Sequence, residues 1–453
     1  MKRFFTQYLN DWKHRKQRKP LIVRGARQVG KSYAIEEFGN KNFAHVIKVN
    51  FEEIPELRQF FITNNVTQIL QNLEVYFGKK ISISETLLFL DEIQVCPEAI
   101  VSLRYFYEKL PDLHIVAAGS LLDHTLNELQ YSMPVGRVEF AYMYPMCFYE
   151  FLIAIDEEHL VEYLNNYNLE QKIAQLIHDK LIEFVRLYFF VGGMPEAVSV
   201  YAETRSLIDI ERIHESIVKS LEFDFAKYGT RSQQITMTKL LRYIPKVSGQ
   251  KFKYVNFDDS VRSDATKKAL DLLSMSRIIH IVKNTKATDV PLEHEVVEKV
   301  FKTIFFDIGL SNHILKLRLI DLKNIGLNNK GGLAEQFVGQ ELLCLPPYFT
   351  ENDIYYWVRE KRNAEAEIDY VVQLNNKIIP IEVKAGKTGT LKSLQIFVTE
   401  KKLKKAIRIN TDIPSVVQVK TSVRINKGIE EVDFQLISIP LYLVQEYGRL
   451  YVQ

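Results

Sequence analysis

A chain of 453 residues is too long for one ordinary hydrophobic core, so two to four domains are expected. With 47% hydrophobic and 25% charged residues it has the make-up of a soluble globular protein that can bury a core without metals or disulfides. The 59 basic and 56 acidic residues leave a net charge of only +3, which excludes a surface that is basic throughout and leaves room for local basic patches.

The three cysteines, Cys96, Cys147 and Cys344, are odd in number and widely spaced. They suggest neither a disulfide framework nor a zinc site, and they suit a reducing cytoplasm as small buried hydrophobes. The N-terminal segment lacks an apolar core and a small-residue cleavage site, so no signal peptide is expected. No apolar run approaches the ~20 residues that span a membrane. A cytoplasmic chain with no membrane partner is the expectation.

In chain order, residues 21 to about 152 alternate short apolar runs with helical stretches, the pattern of a parallel α/β sheet. The expected strands are Leu21–Val23, His45–Phe51, Leu87–Leu90 and His114–Ala118. From about 155 to 225 the chain reads as helical, interrupted by a turn at Gly192-Gly193-Met194-Pro195. Between about 230 and 285, helices at Ile235–Ile244 and Ala265–Ser274 and a strand at Arg277–Val282 fit a small winged-helix-like module. Past a Gly331-Gly332 turn come a helix (Leu333–Cys344) and strands at Ile354–Val358, Glu367–Val372 and Ile378–Val383. A helix near Leu391–Glu400 and a strand at Ala406–Ile409 complete an αβββαβ order. Beyond residue 410 the pattern resolves into no elements.

Gly25, Ala26, Arg27, Gln28, Val29, Gly30, Lys31 and Ser32 match the pattern G-x-x-x-x-G-K-[ST], with Tyr33 next. The pattern follows an expected strand and opens a helical stretch, the setting that it requires. Glycines let the backbone curl so that its N–H groups point at phosphate oxygens, and the helix N-terminus adds positive potential. Lys31 is expected to reach the β- and γ-phosphates of ATP, and the Ser32 hydroxyl to ligate Mg²⁺.

About sixty residues later, the buried run Leu87–Leu90 leads into Asp91 and Glu92. The strand end delivers Asp91 to the magnesium shell, and Glu92 is in position to polarise the attacking water. The strand between the two motifs resembles the additional-strand branch of P-loop ATPases, where a glutamate is the base. His114–Ala118 runs into Gly119-Ser120, which looks like a sensor position for the γ-phosphate; the alternative for Ser120 is a helix N-cap. Arg137 is a candidate for stabilising transition-state charge, in cis or from a neighbouring subunit. Its alternative is pairing with a surface carboxylate.

These motifs together resemble a known family. Arg24 through Ser32, Leu90-Asp91-Glu92-Ile93-Gln94, Gly119-Ser120, Gly136-Arg137 and Tyr144-Pro145 are among its marks. Phe148-Tyr149-Glu150-Phe151, Gly192 to Pro195 and Ile381-Glu382-Val383-Lys384 are the others. They resemble the prokaryotic AAA-type (AAA+) ATPases that carry a C-terminal domain of formerly unknown function, over residues 15 to 400. Met194 is a small departure, standing where that family has other apolar or aromatic residues. The resemblance implies ATP binding and hydrolysis. The pattern of elements and the resemblance together are read as four domains: a P-loop ATPase domain (1–155), a helical connector or lid (156–229), a winged-helix-like module (230–300) and a nuclease-like domain (301–453).

The last of these has been likened to restriction-endonuclease-type nucleases, which need an acidic residue on one strand and an E-x-K triplet on the next. Their carboxylates hold Mg²⁺ while the lysine orients or activates water. Here Asp369 lies on one expected strand, and Glu382-Val383-Lys384 ends the following one, 13 residues on. Alternate strand residues face one side, so Glu382 and Lys384 share a face. Glu335 on the preceding helix is an additional acidic candidate, and Gln395 on the following helix a further contact. The triplet alone is weak, since E-x-K also occurs at Glu170–Lys172 and Glu400–Lys402.

Two basic stretches stand out. Lys13–Lys19 reads as an exposed helix end, and Lys384, Lys387, Lys392, Lys401, Lys402, Lys404 and Lys405 cluster in sequence around the triplet. The latter are candidates for neutralising phosphates, against the commoner reading of solvated charge. Three functions stay open: an ATPase whose cycle repositions the other domains, an ATP-gated nuclease on DNA or RNA, and an ATP switch whose inactive C-terminal domain binds a protein. Further copies of the chain are also candidate partners.

Overall fold

The computed structural model describes residues 1–119, 134, 136–227, 229–322, 331–359, 365–384, 391–425 and 428–453. The chain forms two compact units. The first comprises Met1–Pro145, Asp271–Ile278 and Pro346–Glu351; the second comprises Met146–Leu270, Ile279–Leu345 and Asn352–Gln453.

The first unit is built on a five-stranded sheet of β1 (Leu21–Arg24), β2 (His45–Asn50), β3 (Thr86–Asp91), β4 (His114–Ala118) and β5 (Glu139–Tyr142), in the order β2-β3-β4-β1-β5. Every pairing is parallel. All positions of β3 and β4 are buried, which is why both read as unbroken apolar runs: helices cover both faces of such a sheet. Ile22, Ile47, Val49, Leu88, Leu90, Ile115 and Ala117 form its core with Ile100, Leu103 and Phe106 of the helix Pro97–Lys109. Strand β4 lies between β1 and β3, and the register sets Asp91 beside Ala118 and Val23 beside Ala118. The loops that leave β1, β3 and β4 therefore share the carboxyl edge of the sheet, where α/β folds bind ligands.

Strand β5 has no counterpart in the sequence reading. It is a four-residue edge strand, half-buried over Glu139 and Phe140, and carries no apolar run.

In the second unit a run of helices, from Phe148–Ala154 to Arg231–Tyr243, leads to an eight-stranded mixed sheet. The expected turn at Gly192 has a physical cause. Gly192 has φ +72°, and a Cβ there would lie 2.4 Å from a carboxylate oxygen of Asp307. Buried Asp307 accepts the Gly193 N–H at 2.6 Å and caps the helix Ile308–Ile314 through the Leu310 N–H at 2.9 Å.

The sheet contains β6 (Ile279–Thr285), β7 (Val296–Phe305), β8 (Ile354–Arg359), β9 (Ala366–Leu374), β10 (Lys377–Val383), β11 (Lys405–Asn410), β12 (Ser415–Ile425) and β13 (Gly428–Pro440). Their order is β12-β13-β11-β10-β9-β8-β6-β7. The αβββαβ order is present: helix Gly331–Leu343, β8, β9, β10, helix Lys392–Glu400, β11. Strands β9 and β10 are antiparallel, and β10 and β11 parallel.

The winged-helix expectation needs correction. Both helices exist, at Arg231–Tyr243 and Ser263–Met275, but β6 starts two residues beyond Arg277. The β6–β7 hairpin then joins β8 through a parallel pairing, so it extends the C-terminal sheet instead of closing a module of its own. Residue 300, the expected boundary, falls inside β7, whose last four residues are buried.

Candidate functional site

The loop after β1 curls through Gln28 (φ 64°) and Gly30 (φ 89°), left-handed conformations that turn the backbone into the helix Lys31–Asn42. Gly25 packs so closely that a Cβ would lie 2.2 Å from the Met143 carbonyl oxygen. The first helical bond runs from Ala34 N–H to Gly30 O, which leaves the amides of residues 31–33 as the open, positive end of the helix. Lys31 is buried, and its ammonium donates to the carbonyls of Gly25 (3.0 Å) and Ala26 (2.7 Å). Burial lowers its pKa to about 8, against the opposing pull of Glu92 and Asp91. Tyr33 is exposed.

Ser32 Oγ donates to Asp91 Oδ1 at 2.9 Å, so the two motifs meet directly. Asp91 Oδ2 lies 3.4 Å from Lys48 Nζ on β2, which also pairs with Glu36 at 2.5 Å. Glu92 adopts φ 52° and accepts the Gln94 amide at 2.6 Å. A hydroxyl, a carboxylate and a buried ammonium at one sheet edge suit a magnesium-bound triphosphate.

Lys48 and Arg277 are additions to the site expected from sequence, and Gln94, expected there only as part of a motif, gains a contact with Glu92. Arg277 forks onto Glu351 (2.6 and 3.2 Å) and lies 4.8 Å from the Tyr142 ring centre. Its charge, with that of Arg27, contributes to lowering Lys31. A single arginine at a helix–strand junction carries no pattern in sequence. Arg137 pairs with Glu108 at 3.0 Å and is exposed, the surface-carboxylate alternative. Ser120 lies outside the described residues. Much of the basic stretch Lys13–Lys19 is occupied: Lys13 donates to Asn42 O, Arg15 to Glu139 and Arg18 to Asp112 O.

A second polar cluster lies in the C-terminal sheet. Asp369 Oδ2 accepts the Val383 N–H at 2.7 Å, which joins β9 to the end of β10. Glu382 Oε1 pairs with Lys384 at 2.5 Å, while Glu382 Oε2 is buried without a hydrogen-bond partner among the described residues. Lys302 of β7, absent from the sequence reading, stands at the centre. Its Nζ lies 2.5 Å from Glu367, 3.1 Å from Glu335 and 3.8 Å from Asp369. Burial opposes its charge, but Glu335, Asp369 and Glu367 overcome that and hold its pKa above the ordinary lysine range. Burial, then Asp369, pushes Glu335 up, and burial pushes Asp369 up. Burial, then Asp369, also raises Glu382.

This donor set does not fit a divalent ion as placed, because the Lys302 ammonium stands among the oxygens that would coordinate it. Among the described residues no group of three or more His, Cys, Asp or Glu is arranged to hold a metal. Gln395 is half-buried on the helix Lys392–Glu400, whose Ser393 Oγ accepts the Glu367 N–H at 3.3 Å. The clustered lysines separate in space. Lys384 belongs to this cluster, Lys387 lies outside the described residues, and Lys401, Lys402, Lys404 and Lys405 gather with Lys377.

Residues 17–152 match the family profile described as an AAA domain. Residues 182–321 and 330–442 match two domains of unknown function, DUF8612 and DUF4143. No curated protein matches the sequence. Among solved structures, a Walker-type ATPase of Pyrococcus abyssi aligns with 68% of this chain and 94% of its own, at 14% identity and a TM-score of 0.44. The ORC2 protein of Aeropyrum pernix aligns with 70% and 92%, at 11% identity and a TM-score of 0.34. A point variant of RuvB of Thermotoga maritima aligns with 61% and 86%, at 15% identity and a TM-score of 0.28. These scores are too low to carry an argument. The parallel sheet, the P-loop and the domain match together define an AAA-type P-loop domain in the first third of the chain. Among the described residues no helix is long and apolar enough to cross a membrane.

Proposed function

We propose that the chain is a Mg²⁺-dependent ATPase of the AAA type whose nucleotide cycle controls its C-terminal domain. The observation that carries this reading is the Ser32–Asp91 hydrogen bond at the same sheet edge as the buried Lys31 ammonium. Two motifs far apart in sequence thereby supply one phosphate and cation site. The AAA-domain match over residues 17–152 supports it.

In this reading the loop from Gly25 to Tyr33 wraps the phosphates, and Lys31 neutralises their β and γ oxygens. Ser32 and Asp91 hold Mg²⁺, which when bound neutralises phosphate charge. Glu92 orients the attacking water and accepts its proton, and the Gln94 amide fixes the Glu92 carboxylate. Ser120 senses the γ-phosphate. Arg137, held by Glu108, takes no part in this reading. Nucleotide binding and turnover test the assignment: Lys31→Ala is expected to lose both, and unchanged values contradict it.

Lys302 favours a particular role for the C-terminal domain. An internal ammonium already stands among Glu335, Glu367 and Asp369, where a metal ion would have to sit, which supports a nuclease-like fold that binds a partner under ATP control. The rival is an ATP-gated nuclease on DNA or RNA using Asp369, Glu382 and Lys384. Metal-dependent cleavage that disappears in Glu382→Gln would establish the rival; intact strands under every metal tested are expected.

A further inference from the structure

At the other end of β10 from Glu382, a cavity of about 410 Å³ opens beside the β9–β10 turn. Lys377, Lys401, Lys402, Lys404 and Lys405 all line it, together with Thr288 and Asn376. Asp289 is the single carboxylate in the lining. Lys377 is five residues from Glu382 along the strand, a separation of about 16 Å at ~3.3 Å per residue. The cavity is therefore distinct from the carboxylate cluster.

Among the described residues none of the five ammonium groups forms an ion pair. Lys401 donates to the Lys286 carbonyl at 2.6 Å and Lys405 to the Tyr451 carbonyl at 3.3 Å. Lys377, Lys402 and Lys404 are exposed, and their ammonium groups bond to nothing among the described residues. Other lysines of this unit pair with acids, as Lys180 does with Glu157 and Lys239 with Asp258. Five like charges around one concave surface repel one another, and an anion relieves that repulsion.

We propose that this cavity binds the sugar–phosphate backbone of a nucleic-acid strand. Lysine ammoniums are point charges that neutralise phosphates without reading base edges, and three of the five lining the cavity are exposed. A compact phosphorylated metabolite calls instead for enclosed, fixed donors. The helix–strand connection carries Lys401, Lys402 and Lys404, while Lys405 opens β11 and Lys377 opens β10, so a strand lying across them meets charge at successive points. The inference goes beyond the ATPase reading and does not depend on Lys31.

The test is fluorescence anisotropy of the full chain with labelled single-stranded DNA, duplex DNA and RNA oligonucleotides, titrated over a series of salt concentrations. Lys377→Ala/Lys402→Ala/Lys404→Ala removes three exposed side chains and no core. It is expected to weaken binding at least ~10-fold at low salt and to reduce the slope of log K against log salt by about 2–3. A control variant of exposed lysines elsewhere, Lys79→Ala/Lys80→Ala/Lys172→Ala, is expected to keep the slope. Lys31→Ala is expected to bind strands as the wild type does, which separates this test from that of the ATPase. Unchanged affinity and slope in the cavity variant, or an equal loss in the control variant, overturn the proposal. So does the absence of strand binding at low salt together with micromolar binding of tripolyphosphate by calorimetry, which would make the ligand a small free phosphate.

Discussion

Ser32 Oγ donates to Asp91 Oδ1 at 2.9 Å across 59 positions of sequence. The bond exists because β4 lies between β1 and β3, so that the loop after β1 and the end of β3 converge on one edge. The contact sets a hydroxyl and a carboxylate side by side, the pair that would hold Mg²⁺ in the proposed reading. Ser32→Ala is expected to keep nucleotide binding within a few-fold while turnover falls at least ~10-fold and needs more Mg²⁺. Steady-state rates across a Mg²⁺ titration check this; an unaltered Mg²⁺ dependence counts against the assignment.

Lys31 gives a pH signature. In the free chain burial lowers its pKa to about 8. Phosphate oxygens favour the ammonium, so the bound pKa is higher. Above pH 8 the bound state therefore holds more protons than the free state. ATP binding takes up a proton there, and affinity falls with rising pH by up to ~10-fold per unit. Calorimetry at about pH 9 in two buffers of different ionisation enthalpy reads the uptake directly, and zero uptake contradicts the account.

Lys302→Met leaves Glu335, Glu367 and Asp369 without their counter-charge. Breaking a buried ion pair on one side is expected to destabilise the fold by about 3–5 kcal/mol near pH 8. The carboxylates then hold protons at higher pH in the folded state than in the unfolded one. Stability of the variant therefore falls as pH rises and recovers toward about pH 5. Melting curves at both values, with and without Mn²⁺, also show whether a divalent ion restores the variant; it is expected to stabilise the variant more than the wild type.

Gly192→Ala sets a Cβ 2.4 Å from Asp307 at a positive φ. The clash and the backbone strain are expected to destabilise the chain by about 2 kcal/mol or more. Chemical denaturation checks the figure, and a change within ~0.5 kcal/mol means that the turn relaxes freely.

The parallel sheet is legible in the sequence because unbroken apolar runs and glycine punctuation are local signals. Leu87–Leu90 announces a strand buried on both faces, and Gly25 to Ser32 announces a loop whose shape is set by its own residues. Edge strand β5 is not, because its four residues carry no apolar run. The alternating, half-buried β13 does carry a period-two signal over residues 432–439, which the sequence reading leaves unassigned. Lys302 does leave a trace: a lone lysine interrupts an apolar stretch from Val300 to Phe306, the mark of a buried partnered charge. The lysines from Lys384 to Lys405 look like one patch only along the chain. The helix Lys392–Glu400 stands between Lys384, beside Glu382, and the group Lys401, Lys402, Lys404 and Lys405.

The most direct test of the central claim is Mg²⁺-dependent ATP turnover by the wild type, Lys31→Ala and Glu92→Gln, with nucleotide binding measured on the same preparations. The account predicts that Lys31→Ala fails to bind, and that Glu92→Gln binds ATP but turns over ~10²-fold or more slowly. Turnover in both variants equal to that of the wild type would contradict it.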